Sequence, residues 1–369
     1  MIGQALAFND LRPGEEAATI EAAIARVIAR GWFILGPEVE AFESEFAAAA
    51  GAAHSVGVGN GTDAIALLLR ALGIGAGDEV IVPAITAAYT ALAVISTGAT
   101  PVIVDVDDET LTLDPAACAA AITARTAALV PVHLYGQAAS MAPLQALASR
   151  HALAIVEDCC QAHLATGDGV PVGTIGAGGA FSFYPTKNLG ALGDGGAVIT
   201  SDAQVAARIR QLRNGGQSDR YHHQVVGVNS RLDEIQAAVL RARLPLLRRR
   251  TARRRELAAR YRARLTGAVR PMALRDAGHV YHLFVVRVAS AATQNGRDAL
   301  QAHLRSHGIE TLIHYPVPLN RQLAFAAYPL ADCPVAAAAT LELLSLPLHP
   351  RLEESQVNDV CDCIASWAT

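Results

Sequence analysis

The sequence predicts an α/β protein: a large domain on a largely parallel sheet with helices on both faces, then a smaller C-terminal α/β domain. Three observations predict it. From residue 51 onward, short β-branched runs alternate with helical stretches, the rhythm of parallel strands joined by crossover helices. At 178 the pattern changes to short strands around a Gly-rich loop. A long helical pattern over 232–265 then leads into a second, shorter strand and helix unit.

The elements follow in order. Residues 15–30 and 37–50 read as helices joined by GWFILGP. SVGVGN is a strand entering the helix TDAIALLLRALG, with Thr62 as its expected N-cap. Residues 80–104 carry no charge and are long enough to span a bilayer. Pro83, Pro101, four Thr and Gly98 interrupt that run, so it reads as strand 80–82, helix 86–97 and strand 101–105 inside an α/β core. DPAACAAAI and MAPLQALASRHA are helices; AALVPVHLYG and LAIVEDCC are strands. GGAFSFYP and GGAVITSD are the short strands after 178. Pro245 should kink the long helical pattern. Strand 280–288, helix 297–307, strand 311–315 and helix 355–367 complete the chain, with the large domain at 1–247 and the small one at 248–369.

Composition narrows the function classes. Of 369 residues, 52% are apolar and 17% charged, enough for large cores and incompatible with a disordered chain. A net charge of -4 supplies no basic field for nucleic acid. Eleven Arg face one acid, Glu256, over 241–264, which reads as a solvated helix face with Leu257, Tyr261 and Leu265 as its buried stripe. Six irregularly spaced Cys and no CxxC pair argue against a disulfide framework and a structural zinc. MIGQALAFNDLRPGEE has no basic segment followed by an apolar run, so no signal peptide is read and a cytoplasmic, membrane-free protein is expected.

The 30 basic residues are 29 Arg and one Lys, Lys187. A drift from Lys to Arg explains the loss of lysine on solvated surfaces, but it does not explain one survivor. Arg holds its proton throughout the neutral range, whereas a Lys amine can release it and form a Schiff base.

The neighbours of that lysine sharpen the reading. GVGNGTDAIALLL is strand, Gly-rich turn and helix start, whose open amides suit a phosphate. Gly57, Gly59 and Gly61 do not fit GxGxxG, so a dinucleotide fingerprint is absent. LAIVEDCCQAH ends a strand in acids at the carboxyl edge, where α/β sheets bind ligands. Asp158 there either caps a following helix or keeps a pyridine nitrogen protonated, as pyridoxal phosphate (PLP) requires. Gln161 and His163 follow it, and FSFYPTKNLGALGDGGAVIT holds Ser182 and Lys187. A phosphate cradle, an Asp and a Lys in that order point to PLP.

On GWFILGPEVEAFE, GNGTDAI, PVHLYGQ, VEDCCQAH, SFYPTKNLGALGDGG, GVNSRLDEIQAAVL, IHYPVP and LSLPLHP, the chain resembles the DegT/DnrJ/StrS family of PLP-dependent nucleotide-sugar aminotransferases. The resemblance runs from about residue 8 to residue 365. It implies the PLP-dependent aminotransferase type I fold and a homodimer with active sites shared between subunits. It assigns Lys187 to the cofactor Schiff base and to proton transfer, and Asp158 to the pyridine nitrogen. It sets Gln161 near the cofactor's phenolic oxygen. Gly61, Thr62 and Ser182 would hold the phosphate, joined by Asn229 of the second subunit. Tyr184, Tyr221, His314 and Tyr315 match positions that face the sugar nucleotide. The chain departs from the family at Ala87, where many relatives carry an aromatic on the cofactor ring, so either Tyr89 or another group covers the ring or the ring is less tightly held.

The implied reaction moves an amino group from an amino acid, glutamate by family analogy, to a keto group of a nucleotide-linked deoxysugar. EDCCQAH and NSRLDEIQAA are most similar to the dTDP-3-keto-6-deoxyhexose branch. A 4-keto sugar acceptor and a non-catalytic regulator binding PLP or a sugar nucleotide stay open as alternatives. A sugar dehydratase on the same fold would carry His in place of Lys187.

Overall fold

Three helices start where an Asn or Asp side chain accepts from their first amides: Asn60, Asp114 and Asp202. The computed structural model describes residues 6–289 and 296–368. Its helices include Ala17–Arg30 and Pro37–Ala50, each closed by a left-handed glycine, Gly31 and Gly51. Asp114 and Asp202 cap Pro115–Ala121 and Ala203–Leu212 through their carboxylates. The helix at 203–212 has no counterpart in the sequence reading.

Seven strands form the main sheet, in the spatial order His54–Val58, Gly196–Thr200, Gly178–Ser182, Ala154–Asp158, Thr126–Leu129, Glu79–Pro83, Thr100–Val104. The pairings of Glu79–Pro83 with both its neighbours, of 126–129 with 154–158, and of 154–158 with 178–182 are parallel. Gly196–Thr200 alone runs the other way, antiparallel to the strands on both its sides. The expected parallel rhythm is thus present with one inverted strand. The uncharged run at 80–104 divides into two of these strands and the helix Tyr89–Ser96. Among the described residues, no helix is long and apolar enough to cross a membrane.

A second sheet of Val269–Pro271, Phe284–Val288 and Leu343–Leu346 is antiparallel throughout. It packs with Leu257, Tyr261, Leu304 and Val360 into a separate core. The continuous pattern over 232–265 resolves into Glu234–Arg243, a single turn at Leu244–Leu246 around Pro245, and Leu247–Arg264. Leu257 and Tyr261 are buried on that last helix, as the stripe requires. One expectation fails: 311–315 is not a strand. Only Leu312 exchanges backbone hydrogen bonds, with Ser345, and Pro316 and Pro318 then leave no amides to extend a ladder.

Candidate active site

The carboxyl ends of three parallel strands of the main sheet bring the chemistry together. Ala154–Asp158 ends in Asp158, Gly178–Ser182 ends in Ser182, and Glu79–Pro83 runs out toward Thr86. No helix follows Asp158 directly, so it is not a helix cap. Its Oδ1 accepts from the Cys160 amide at 3.1 Å and its Oδ2 from the Thr90 hydroxyl at 2.8 Å. Next to it, Glu157 faces the other way. It is fully buried and accepts from the amides of Gly173, Ile175 and Gly176 and faces His133 Nε2 at 3.0 Å. That clamp fixes the strand that carries Asp158.

The phosphate cradle differs from expectation in one respect. Asn60, not Thr62, is the N-cap of the helix Gly61–Ala71: its backbone is extended and its side chain accepts from the Asp63 amide at 2.9 Å. Thr62 therefore lies inside the first turn, where neither its amide nor that of Gly61 has an intrahelical partner. A Cβ on Gly61 would come within 2.7 Å of Cys160 Sγ and 2.8 Å of Ser182 Cβ. Glycine is required there because three segments converge on one helix N-terminus. Across the strand, a Cβ on Gly196 would meet the Asn60 carbonyl at 2.4 Å.

Lys187 sits in the loop that follows Ser182, held by its amide to the Tyr184 carbonyl at 2.8 Å. Asn188 secures the same loop to the Val280 carbonyl at 3.0 Å. Burial pushes the amine's proton affinity down, opposed by Cys160 and Asp158 beside it. The free base, which reacts with a carbonyl, is favoured by the pocket itself. Burial pushes the Cys160 thiol up, so it stays protonated.

Gln161 is clamped at both ends of its amide. Its Oε1 accepts from the Tyr135 amide at 2.7 Å and its Nε2 donates to the Tyr315 hydroxyl at 3.0 Å. Tyr135, left-handed at φ 58°, donates its own hydroxyl to the His314 carbonyl. His314 meets Ser345 at 2.9 Å through Nδ1. Ser182 presents its carbonyl to His163 Nε2 at 2.9 Å, and His163 lies among Phe181 and Phe183. The chain thus unites Gly61, Thr62, Asp158, Gln161, Ser182, Lys187, His314 and Tyr315 around one edge.

Four predicted residues are exposed within a single subunit. Tyr89 heads the helix Tyr89–Ser96 with its side chain exposed, and Tyr184 is half exposed. Tyr221 projects from the hairpin Gln217–Asp219/His222–His223, 74% exposed, under the Arg220 guanidinium at 5.0 Å. Asn229 is exposed, and it lies four residues before Asp233, the N-cap position of the next helix, so it does not cap that helix. Its neighbour Ser230 bonds the Gly59 amide at 2.9 Å and Asp63 at 2.5 Å. Thr90 and Tyr135 also meet the site residues, Thr90 bonding Asp158 and the Tyr135 amide Gln161, and neither is singled out by the sequence because these partners lie far along the chain.

The buried imidazoles have a consequence for stability. Burial, with Lys187 or nearby Arg adding to it, holds His163 and His279 at about 3 and His314 and His349 at about 4. All four are neutral in the folded protein when the unfolded chain, at about 6.5, begins to protonate. Unfolding then takes up protons as pH falls from 6.5 toward 4, so stability drops in that window. Each group contributes up to about 1.4 kcal/mol per pH unit. Urea midpoints measured at pH 7.5 and pH 5 should differ markedly, the lower at pH 5. Equal midpoints would mean that these rings reach water.

The chain is similar to known proteins over nearly its whole length. A model of the DegT/DnrJ/EryC1/StrS aminotransferase family matches residues 15–365. A dTDP-3-amino-3,4,6-trideoxy-alpha-D-glucose transaminase of Streptomyces venezuelae is 50% identical over 98% of this chain and 96% of its own. The crystal structure of S. venezuelae DesV in complex with a ketimine intermediate superposes with a TM-score of 0.94 at 48% identity, over 99% of each chain. NtdA of Bacillus subtilis with bound cofactor PMP superposes at 0.91 with 29% identity, over 100% of this chain and 86% of its own.

Proposed function

We propose, from the premise that this chain belongs to the DegT/DnrJ/EryC1/StrS aminotransferase family, that its amino acceptor is the 3-keto group of a dTDP-linked 6-deoxyhexose. The chain is a PLP-dependent nucleotide-sugar aminotransferase. One observation carries the assignment of its site: the chain's single lysine is desolvated beside Asp158, next to a helix N-terminus with two free amides. Those residues fit the cofactor, since the first-turn amides of Gly61 and Thr62 have no intrahelical partner and only a glycine lets that helix end approach Ser182 and Cys160.

When bound, PLP supplies a carbonyl that condenses with amines and a protonated ring that takes up an electron pair. Lys187 is the amine that would hold it, and afterwards the base and acid that moves a proton at the substrate carbon. Asp158, fixed through both oxygens, would keep a proton on the ring nitrogen. Gln161 spends one Nε2 hydrogen on Tyr315 and has a second for the phenolic oxygen. Gly61, Thr62 and Ser182 would bind the phosphate. Tyr89 is the aromatic the chain offers to cover the ring in place of Ala87. Tyr184, Tyr221, His314 and Tyr315 would contact the sugar nucleotide, and glutamate would donate the amino group.

The test is to supply purified protein with PLP, L-glutamate and a dTDP-3-keto-6-deoxyhexose. The expected result is release of 2-oxoglutarate and a dTDP-amino sugar by mass spectrometry. Amination of a 4-keto sugar instead would move the acceptor assignment to that alternative.

The exposure of Asn229 and Tyr221 supports a homodimer in which each reaches the other subunit's site. Mixing Lys187→Ala subunits with Asn229→Ala subunits tests this. If Asn229 serves the neighbouring subunit, one site in each heterodimer has native Lys187 from one chain and native Asn229 from the other. PLP affinity and turnover should return at that site. Heterodimers without recovery would return Asn229 to its own subunit.

A further inference from the structure

Asp158 accepts a hydrogen bond from Thr90 Oγ1 at 2.8 Å, and Thr90 Oγ1 lies 3.0 Å from Thr86 Oγ1. All three side chains are buried. A hydroxyl has one proton. Thr90 gives its proton to the carboxylate, so in the pair with Thr86 it must be the acceptor and Thr86 the donor. The direction of the chain is therefore settled by counting: Thr86 donates to Thr90, and Thr90 donates to Asp158. Successive bonds of this kind polarise one another, and the last one ends on a charge.

The two oxygens of Asp158 are held from different sides. Oδ1 is fixed by the Cys160 amide within its own turn, and Oδ2 by a hydroxyl 68 residues away on the helix Tyr89–Ser96. With only the first bond, the carboxylate could rotate about its terminal torsion, which is broad for Asp. The second bond removes that freedom while leaving each oxygen a lone pair for an incoming N–H. Lys187, Cys159, Cys160 and Tyr315 are the titratable groups around it that feel the Asp158 charge.

We propose that Thr86 and Thr90 form a two-hydroxyl relay that orients the Asp158 carboxylate toward the cofactor's ring nitrogen. Thr90 is the positioning residue and Thr86 its support. The relay rests on the PLP reading of the site.

The test uses Thr90→Val, which keeps the β-branched shape and removes the hydroxyl, with Thr90→Ser as the rescue. PLP binding to the full-length protein is titrated by absorbance, and the visible band is followed against pH. Thr90→Val should raise the PLP Kd by roughly ten- to a hundredfold, the range for losing a bond to a charged group. Its band should titrate at higher pH, because a ring nitrogen that keeps its proton less well withdraws less charge from the linkage to Lys187. Thr90→Ser should restore both values, and Thr86→Val should shift both in the same direction by less. Should Thr90→Val not fold, the Ser and Thr86→Val variants still read the relay. If Thr90→Val binds PLP as tightly as the wild type with the same titration, or if Thr90→Ser is as impaired as Val, the relay is wrong. A wild-type protein that does not bind PLP overturns the cofactor reading and the relay with it.

Discussion

Lys187→Arg should yield a folded protein with no measurable transamination. The substitution keeps a cation, so the local field near Asp158 and Cys160 is preserved. A guanidinium, however, does not lose its proton in the neutral range and cannot condense productively with a carbonyl. No other side-chain amine exists in the chain to take over. Proton transfer alone is worth about 10²–10⁴-fold, and the attachment of the cofactor is lost with it. The loss should therefore exceed about a thousandfold. Borohydride treatment of the wild type with PLP should label one peptide within 181–200, and the Arg variant should give none. Label elsewhere in the wild type would remove Lys187 from its assigned role.

Asp158→Asn should cost nearly as much activity for a different reason. The amide keeps an acceptor for the Cys160 N–H and a group that Thr90 can meet, so the turn after Ala154–Asp158 should persist. What disappears is the negative charge. Bonds to charged groups contribute about 1.5–3 kcal/mol, which sets the expected loss of cofactor affinity at roughly ten- to a hundredfold. Turnover should fall further, because the ring must hold its proton to accept an electron pair. The melting temperature of the cofactor-free variant should stay close to that of the wild type. Wild-type turnover in this variant would leave Asp158 with a structural role only.

The two substitutions separate functions that a single activity loss would confuse. Lys187→Arg should still bind PLP through the cradle at Gly61, Thr62 and Ser182, without the covalent linkage. Asp158→Asn should form the linkage but hold the cofactor less tightly. A cofactor that leaves both variants equally would point to the phosphate cradle as the common fault.

Much of this protein is legible from residue order. The lone Lys187, the acids closing LAIVEDCC and the glycines before TDAIALLL are local signals, each written within a few residues. So is the alternation of strand and helix, because periods of 2 and 3.6 are properties of contiguous chain. What the sequence left open depends on residues that meet only when the chain has folded. The inverted strand Gly196–Thr200 is as apolar as its parallel neighbours, and only its path between them sets its direction. Asn60 and Thr62 are both good capping residues; the extended backbone at Asn60 decided between them. The stretch 311–315 has strand-like composition, yet it finds one partner residue instead of an edge. Thr86 and Thr90 lie in a helical pattern with nothing to mark them, and Asp158 lies in a strand. Their meeting across 68 residues is a product of how Glu79–Pro83 and Ala154–Asp158 are ordered in the sheet. Residue identity determined which chemistry the chain can perform, whereas sheet order decided which groups stand close enough to perform it, because a hydrogen bond reaches only about 3 Å.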